Sequence, residues 1–537
     1  MLSKTTIPSV RYLRKTSEAK CQKFSVCSEM DLVYASLAVS IPLLVWNIAK
    51  PTRKIPLPPG PPADPLIGHL LRFPSENPEA VFHEWSKQYG DVIHLSVLGR
   101  SIVVVDSHQA AVDLLEKRSA LYSDRPKFIV FELMGWDPDV VFLPYGQRFR
   151  KHRKLFHTYF MQKSCLQFQP VQLHNSHLLV HGLMKNEGNH NQLLARFTTA
   201  IAIRIAYGHQ IISDDDEYID ILDTMGDAVR AGGLPGATPI DAFPILQHFP
   251  SWFPGTHYAN AARAWRWAIR RLYDLPYDSV RKQMAEGSAK PSVLAMQLEA
   301  AAGRALTVEE IEDMKGTAAI IYAAGAETTW TAISTFLLAM VLYPECQKIG
   351  QEEVDRVVGR DRLPTFEDRD SLPYIDCVIQ EVLRWHPVTP LGIPHRSTHD
   401  DIYRGMFIPK GSYIIFNETG MSLDPNIYAN PTAFNPARFL PKSAGGNAEP
   451  PFDAAFGYGR RICPGRHLAT ASLWIAIATI FSTLHISKAR DENGMEITPP
   501  VEFEKGISSQ PKPFPCNIAA RSDTAARIIA EAIENSV

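Results

Sequence analysis

A mainly α-helical chain with small β-sheets, folded as one large domain, is the class this sequence predicts. Three observations carry that expectation. From Ala110 to about Met340 the apolar residues follow a mostly helical pattern, broken by Gly/Pro-bearing stretches at 231–240 and 250–255. Strand-like segments are few and short. The hydrophobic residues, 45% of 537, are spread evenly, which suits one ample core.

Composition narrows the function classes. Lys and Arg total 55 against 57 Asp and Glu, so there is no net field to attract nucleic acid. Seven cysteines (Cys21, Cys27, Cys165, Cys346, Cys377, Cys463 and Cys516) are scattered and lack CxxC spacing. That pattern fits a reducing compartment and argues against a disulfide framework or a zinc site.

Taken in order, residues 1–31 form a basic extension. Lys4, Arg11, Arg14, Lys15, Lys20 and Lys23 face only Glu18 and Glu29 in its first thirty positions. It reads as a mitochondrial presequence, as a non-cytosolic extension, or as sequence ahead of the true start. Residues 32–49, eighteen positions without a charge, reach the lower limit for crossing a bilayer despite Pro42 and Asn47. A hinge follows at 50–62, with Lys50, Arg53 and Lys54 and then the stiff Pro56-Leu57-Pro58-Pro59-Gly60-Pro61-Pro62. Anchor, collar and hinge lead into a body at 63–537.

Within that body, Val92–Val97 and Ile102–Asp106 alternate or run apolar around Gly99, which predicts a hairpin. Residues 400–416 read as short strands with turns. The longest helix starts at the capping box Thr307-Val308-Glu309-Glu310 and runs to about Leu342, before Pro344. Its part Ala318–Val341 is apolar except for Glu327 and neighbouring threonines. A glutamate in mid-bilayer costs roughly 3 kcal/mol, so a core helix is expected rather than a second span.

The most specific segment is Phe456-Gly457-Tyr458-Gly459-Arg460-Arg461-Ile462-Cys463-Pro464-Gly465, followed by an apolar helix-like run from His467 to Leu484. A single thiolate in a glycine-rich loop suits an iron atom that keeps one protein ligand. Glycines admit a flat cofactor closely, and backbone N–H groups tune the sulfur. Arg461 is placed to pair with an acidic group of that cofactor. The bland alternative, a buried structural cysteine in a glycine turn, does not explain the aromatic and the arginine at these spacings.

This loop resembles the haem-thiolate signature of the cytochrome P-450 monooxygenases (Phe-x-x-Gly-x-Arg-x-Cys-x-Gly) at every defined position. Three further motifs in the family's order are similar to it as well: Ala324-Gly325-Ala326-Glu327-Thr328-Thr329, Glu381-Val382-Leu383-Arg384, and Phe434-Asn435-Pro436-Ala437-Arg438-Phe439. The resemblance spans about Pro56 to Ala520 and implies the cytochrome P-450 fold. It implies haem b with Cys463 as axial iron ligand, Phe456 beside it, and Arg461, Arg396 and Arg153 on the propionates. It further implies Glu327 and Thr328 as the acid and alcohol of oxygen activation, and Glu381, Arg384 and Arg438 as a structural triad. Phe149 departs from the family, which usually has tryptophan four residues before the arginine, so one propionate bond is missing or replaced at Arg153.

The implied activity is insertion of one oxygen atom from O2 into a small apolar organic substrate. That substrate is expected between Ser123–Tyr145, Ala323–Thr328, Val388–Ile393 and Ser508–Ser509. No dinucleotide fingerprint occurs, since Gly457-Tyr458-Gly459 lacks the third glycine. Electrons are therefore expected from NADPH through a separate reductase, with cytochrome b5 a further possible donor. Arg148, Arg150, Lys151, Arg153 and Lys154 read either as part of its dock or as a solvated helix face.

The layout resembles the microsomal members, implying the endoplasmic reticulum membrane with a cytosolic domain; the mitochondrion is the alternative. Pro390–Arg396, Tyr403-Arg404-Gly405 and Ile408–Gly411 resemble fungal members related to O-methylsterigmatocystin oxidoreductase, which implies secondary metabolism of terpenoids, polyketides or indoles. Competing classes are a haem-thiolate isomerase or dehydratase and a non-catalytic membrane haem protein; Glu327-Thr328 argues against both. His174, His177 and His181 share a helical face but lack acidic partners. Asn417-Glu418-Thr419 matches a glycosylation acceptor in a body expected to face the cytosol.

Overall fold

Two-residue turns set the first sheet. The protein is described here by a computed structural model covering residues 55–535 apart from 186–188, 212, 214, 234–235 and 237. The extension, the anchor and residues 50–54 of the hinge lie outside the described residues. Helix α1 (Pro78–Tyr89) precedes strands β1 (Val92–Val97) and β2 (Arg100–Val105). These pair antiparallel through Val97 and Arg100 across Leu98 and Gly99, whose φ angles of 51° and 81° make a tight hairpin turn. Alternate side chains then serve opposite faces: Val103 and Val105 enter one buried cluster, Ile102 and Val104 another.

Helices α2 (Gln147–Phe160), α3 (Gln169–Lys185), α4 (His190–Tyr207), α5 (Glu217–Gly232), α6 (His257–Ala285) and α7 (Val293–Ala300) follow. In α2 the buried residues Phe149, His152, Phe156 and Phe160 recur at helical spacing, with basic residues between them. The expected breaks fall where the Gly/Pro stretches lie, after Gly232 and ahead of His257.

Helix α8 (Val308–Leu342) is the axis of the body. Thr307 Oγ1 accepts from Glu310 N at 3.2 Å, and the Glu310 carboxylate accepts from Thr307 N at 2.9 Å, so the capping box forms. At 35 residues it is about 52 Å long at 1.5 Å per residue. Length and composition alone would let it cross a membrane, yet 72% of its most apolar window is buried inside the protein, as expected of a core helix. It packs on α4, α6 and α7.

Next come α9 (Pro344–Val357) and α10 (Pro373–Trp385), then β3 (His395–Arg396), β4 (Asp401–Tyr403), β5 (Met406–Ile408) and β6 (Tyr413–Phe416). Strand β6 runs parallel to β2 and antiparallel to β3, giving a four-stranded sheet ordered β1-β2-β6-β3, while β4 and β5 form a hairpin. Helix α11 (Arg466–Thr483), strands β7 (Leu484–Arg490), β8 (Glu496–Ile497) and β9 (Cys516–Ala520), and helix α12 (Asp523–Glu534) complete the chain. Helix α11 packs against α3, α8, α9 and α10, so the residue just before it is carried on the central bundle. The glycosylation match does not survive folding: Asn417 is fully buried and its amide donates to Glu79 O at 2.8 Å and Asp106 Oδ1 at 2.6 Å.

Candidate active site

The loop ahead of α11 is held by backbone that only glycine tolerates well. Gly459 has φ 56°, and a Cβ there would lie 2.2 Å from Leu115 O. Cys463 N donates to Phe456 O at 2.8 Å, closing the turn over the aromatic residue of the motif. Burial pushes the Cys463 thiol up, while the N–H groups of Gly465 and Arg466 and the charges of Arg153 and Arg466 act the other way. The sulfur thus sits beside the positive end of an eighteen-residue helix, with donors already aimed at it.

Four arginines gather near this loop. Arg461 donates to the carbonyls of Ser123 (2.8 Å), Val140 (3.2 Å) and Leu143 (2.7 Å), and its guanidinium lies 3.7 Å from the centre of the Phe149 ring. Burial pulls Arg461 down to about 9. Where the family usually has tryptophan, Phe149 thus stacks against Arg461 and offers no hydrogen bond. Arg153 reaches Ile462 O at 2.8 Å.

Arg396 is committed elsewhere: its Nε bonds Asp124 Oδ2 at 2.9 Å in an ion pair. Arg125, which the sequence reading passed over, is buried and donates to Val141 O and Pro394 O, both at 2.9 Å. Burial, with Arg461 nearby, holds it well below the ordinary guanidinium range. Its signal was present in Ser123-Asp124-Arg125-Pro126, a segment expected to line substrate. Asp124 is the only carboxylate the described residues place in an ion pair with any of these four arginines. Buried guanidinium groups held by carbonyls and short of anions fit a dianionic group; haem, with two propionates, matches that demand and the single thiolate beside it.

The acid–alcohol pair lies on α8. Thr328 Oγ1 donates to Ala324 O at 2.7 Å, which leaves its lone pairs available, and Glu327 accepts a hydrogen bond from the Ser508 hydroxyl. Both residues are partly buried, as are Ala324 and Gly325 beside them, while Ala323, Ala326 and Thr329 are buried. Gly325 faces α4, where a Cβ on it would stand in ordinary contact, 3.7 Å from that of Ala202. Ser508 belongs to a loop closed by the Phe503–Pro511 bridge and tied to the Val388 turn by Ser509 N donating to Val388 O at 2.9 Å. Two of the segments expected around a substrate are therefore joined to each other, and one of them to α8.

On α10, Glu381 accepts from Arg384 Nε (2.7 Å) and Nη2 (2.8 Å), from Arg438 Nε (3.1 Å) and from Asn435 N (2.7 Å). Glu381 and Arg384 are 0% exposed and Arg438 1%. The other guanidinium donors meet the carbonyls of Ser422, Pro431, Ala433 and Ala429 and the Glu449 carboxylate. Of the basic segment on α2, Arg148 and Lys151 are spent on Asp313 at 2.7 and 2.9 Å, whereas Arg150 and Lys154 are exposed.

Comparison with known proteins agrees with this geometry. The cytochrome P-450 family profile matches residues 58–517. Cytochrome P-450 monooxygenase 136 of Postia placenta is 40% identical over 509 residues, covering 94% of this chain and 96% of the relative. The monooxygenase claR of Ampulloclitocybe clavipes is 38% identical, covering 89% of each chain. Tryptamine 4-monooxygenase of Psilocybe cyanescens is 36% identical, covering 88% of this chain and 95% of the relative. With family, fold and thiolate loop in agreement, the chain belongs to the cytochrome P-450 family and is a haem-thiolate monooxygenase.

Proposed function

We propose that this protein oxidises a small apolar organic compound of fungal secondary metabolism, taking electrons from NADPH through a separate membrane-bound reductase. The observation that carries the reading is the Glu327-Thr328 pair, a carboxylate and a free hydroxyl lone pair on an apolar core helix, in a chain whose buried arginines and single thiolate suit haem. Haem, when bound, supplies a thiolate-ligated iron that activates O2. The balance is RH + O2 + two electrons + two protons giving ROH + H2O, so protons must arrive as reliably as electrons.

Cys463 would hold the haem iron through its sulfur, and the N–H groups of Gly465 and Arg466 would temper its charge. Arg461, Arg153 and Arg125 would hold the propionates, while Arg396, paired with Asp124, would fix the segment that also carries Arg125. Phe456 closes the loop around the sulfur. Thr328 holds the hydroxyl at the oxygen side, and Glu327 passes protons toward it. Glu381, Arg384 and Arg438 keep the fold beneath the thiolate loop.

Residues 32–49 anchor the enzyme in the endoplasmic reticulum with the catalytic body in the cytosol, where a reductase, with or without cytochrome b5, meets the exposed Arg150 and Lys154. The basic extension favours one competing location, the mitochondrion; a fluorescent fusion of the full chain separates the two. Incubating anchored enzyme with NADPH, reductase and 18O2 against terpenoid, polyketide and indole panels tests the function. A product bearing one 18O atom, formed only with NADPH, is expected. Conversion without NADPH or O2 would point instead to an isomerase or dehydratase.

A further inference from the structure

Glu327 and Ser508 stand 181 positions apart in the chain, yet the Ser508 hydroxyl donates to the Glu327 carboxylate. Ser508 is not on a loose segment. Its loop is closed by the Phe503–Pro511 bridge and by Glu504 N donating to Gln510 O at 2.7 Å. The neighbouring Ser509 N is fastened to Val388 O, and the Phe503 ring stacks on His386 with centroids 3.6 Å apart. One end of the hydrogen bond is thus fixed by α8 and the other by the turn after α10.

We propose that Ser508 is the positioning residue for Glu327: a hydroxyl carried by the substrate-side loop that sets where the relay carboxylate points. This rests on the reading of Glu327 as a proton donor to the oxygen side. The physical reason is directional. A glutamate on a helix samples several rotamers at little cost, and proton transfer needs one of them within hydrogen-bond reach of the next carrier. Among the described residues, the Ser508 hydroxyl is the side-chain donor that restrains the Glu327 carboxylate. Because the donor sits on the loop expected to touch substrate, occupancy there and proton supply are mechanically linked.

The test needs no substrate. In anchored, haem-loaded enzyme with reductase, NADPH and air, oxygen leaves either as peroxide (two electrons, two protons) or as two waters (four electrons, four protons). The measured quantity is the peroxide-to-water ratio, with the solvent deuterium isotope effect on NADPH consumption. Haem loading and melting temperature of each variant are recorded alongside. S508A is expected to raise the ratio by about fivefold to tenfold, the scale of one lost ordinary hydrogen bond. S508T should keep the original ratio and S508C, a weaker donor, should fall between.

In an E327Q background, S508A should change nothing further, since the two act through one carboxylate. A wild-type ratio in well-loaded S508A protein, or effects of S508A and E327Q that multiply, would overturn the positioning role. If E327Q alone leaves the ratio unchanged, the relay reading itself falls, and the two failures are told apart by that variant. A changed melting temperature rescued by S508T without any change in the ratio would mean that Ser508 only packs the loop.

Discussion

Two glutamates show how differently the halves of this molecule are built. Glu381 is fully buried and accepts four hydrogen bonds from two arginines and a backbone N–H, and each arginine spends its remaining donors on further carbonyls. Glu327, partly buried on α8, is tied by the Ser508 hydroxyl. The first arrangement is over-determined, so removing one member strands buried charge. The second is sparsely restrained, which a proton carrier needs if it is to change partners. The Glu381 network is thus the rigid one, and Glu327, the proposed proton carrier, the one left freer to move.

The sharpest way to break this contrast is Glu381→Ala. Buried Arg384 would lose its carboxylate partner and Arg438 one of its two, Glu449 remaining, at about 3–5 kcal/mol, a large share of the ~5–15 kcal/mol that holds a typical protein together. Loss of folded, haem-loaded protein is expected in expression and melting measurements; a stable, fully loaded variant would contradict the account. Arg461→Ala should come next, folding but losing haem on dilution several times faster than wild type, because the cation proposed to hold a propionate is gone, together with its stacking on Phe149. Haem transfer to an apo-globin acceptor measures it.

Thr328→Ala should leave melting within about 1 kcal/mol of wild type and haem fully bound, while diverting NADPH electrons to peroxide. Unchanged coupling would refute the assigned role. The smallest effect concerns Asp139, buried with one carboxylate oxygen unpartnered and pushed up to about 7 by desolvation. Between the ordinary aspartate range near 3.8 and about 7 the folded state keeps a proton that the unfolded chain has released. Its contribution is therefore present at low pH and is lost as pH rises through that window. Asp139→Asn should flatten the fall in melting temperature between about pH 4 and pH 7, read by calorimetry.

Local chemistry made much of this legible beforehand. Helix α8 announces its start through Thr307 and Glu310 and its end through Pro344, and the hairpin at Leu98-Gly99 needs nothing beyond its own turn. The thiolate loop is legible in part because Gly459 is demanded by the nearby backbone of Leu115. What stayed hidden depends on long-range encounters. Arg396 is taken by Asp124, 272 residues away, and Arg125 finds its carbonyls only when the 123–145 segment wraps the loop. The Ser508–Glu327 bond is of the same kind. Asn417 illustrates the converse: a good local match whose amide is consumed in the core.

The central claim, that Cys463 works as a thiolate ligand to haem iron, is tested most directly by the carbon monoxide difference spectrum of the reduced full chain. A strongly red-shifted thiolate-type Soret band, abolished in Cys463→Ala, is the expected result. An imidazole- or thiol-type band in well-folded wild-type protein would contradict it.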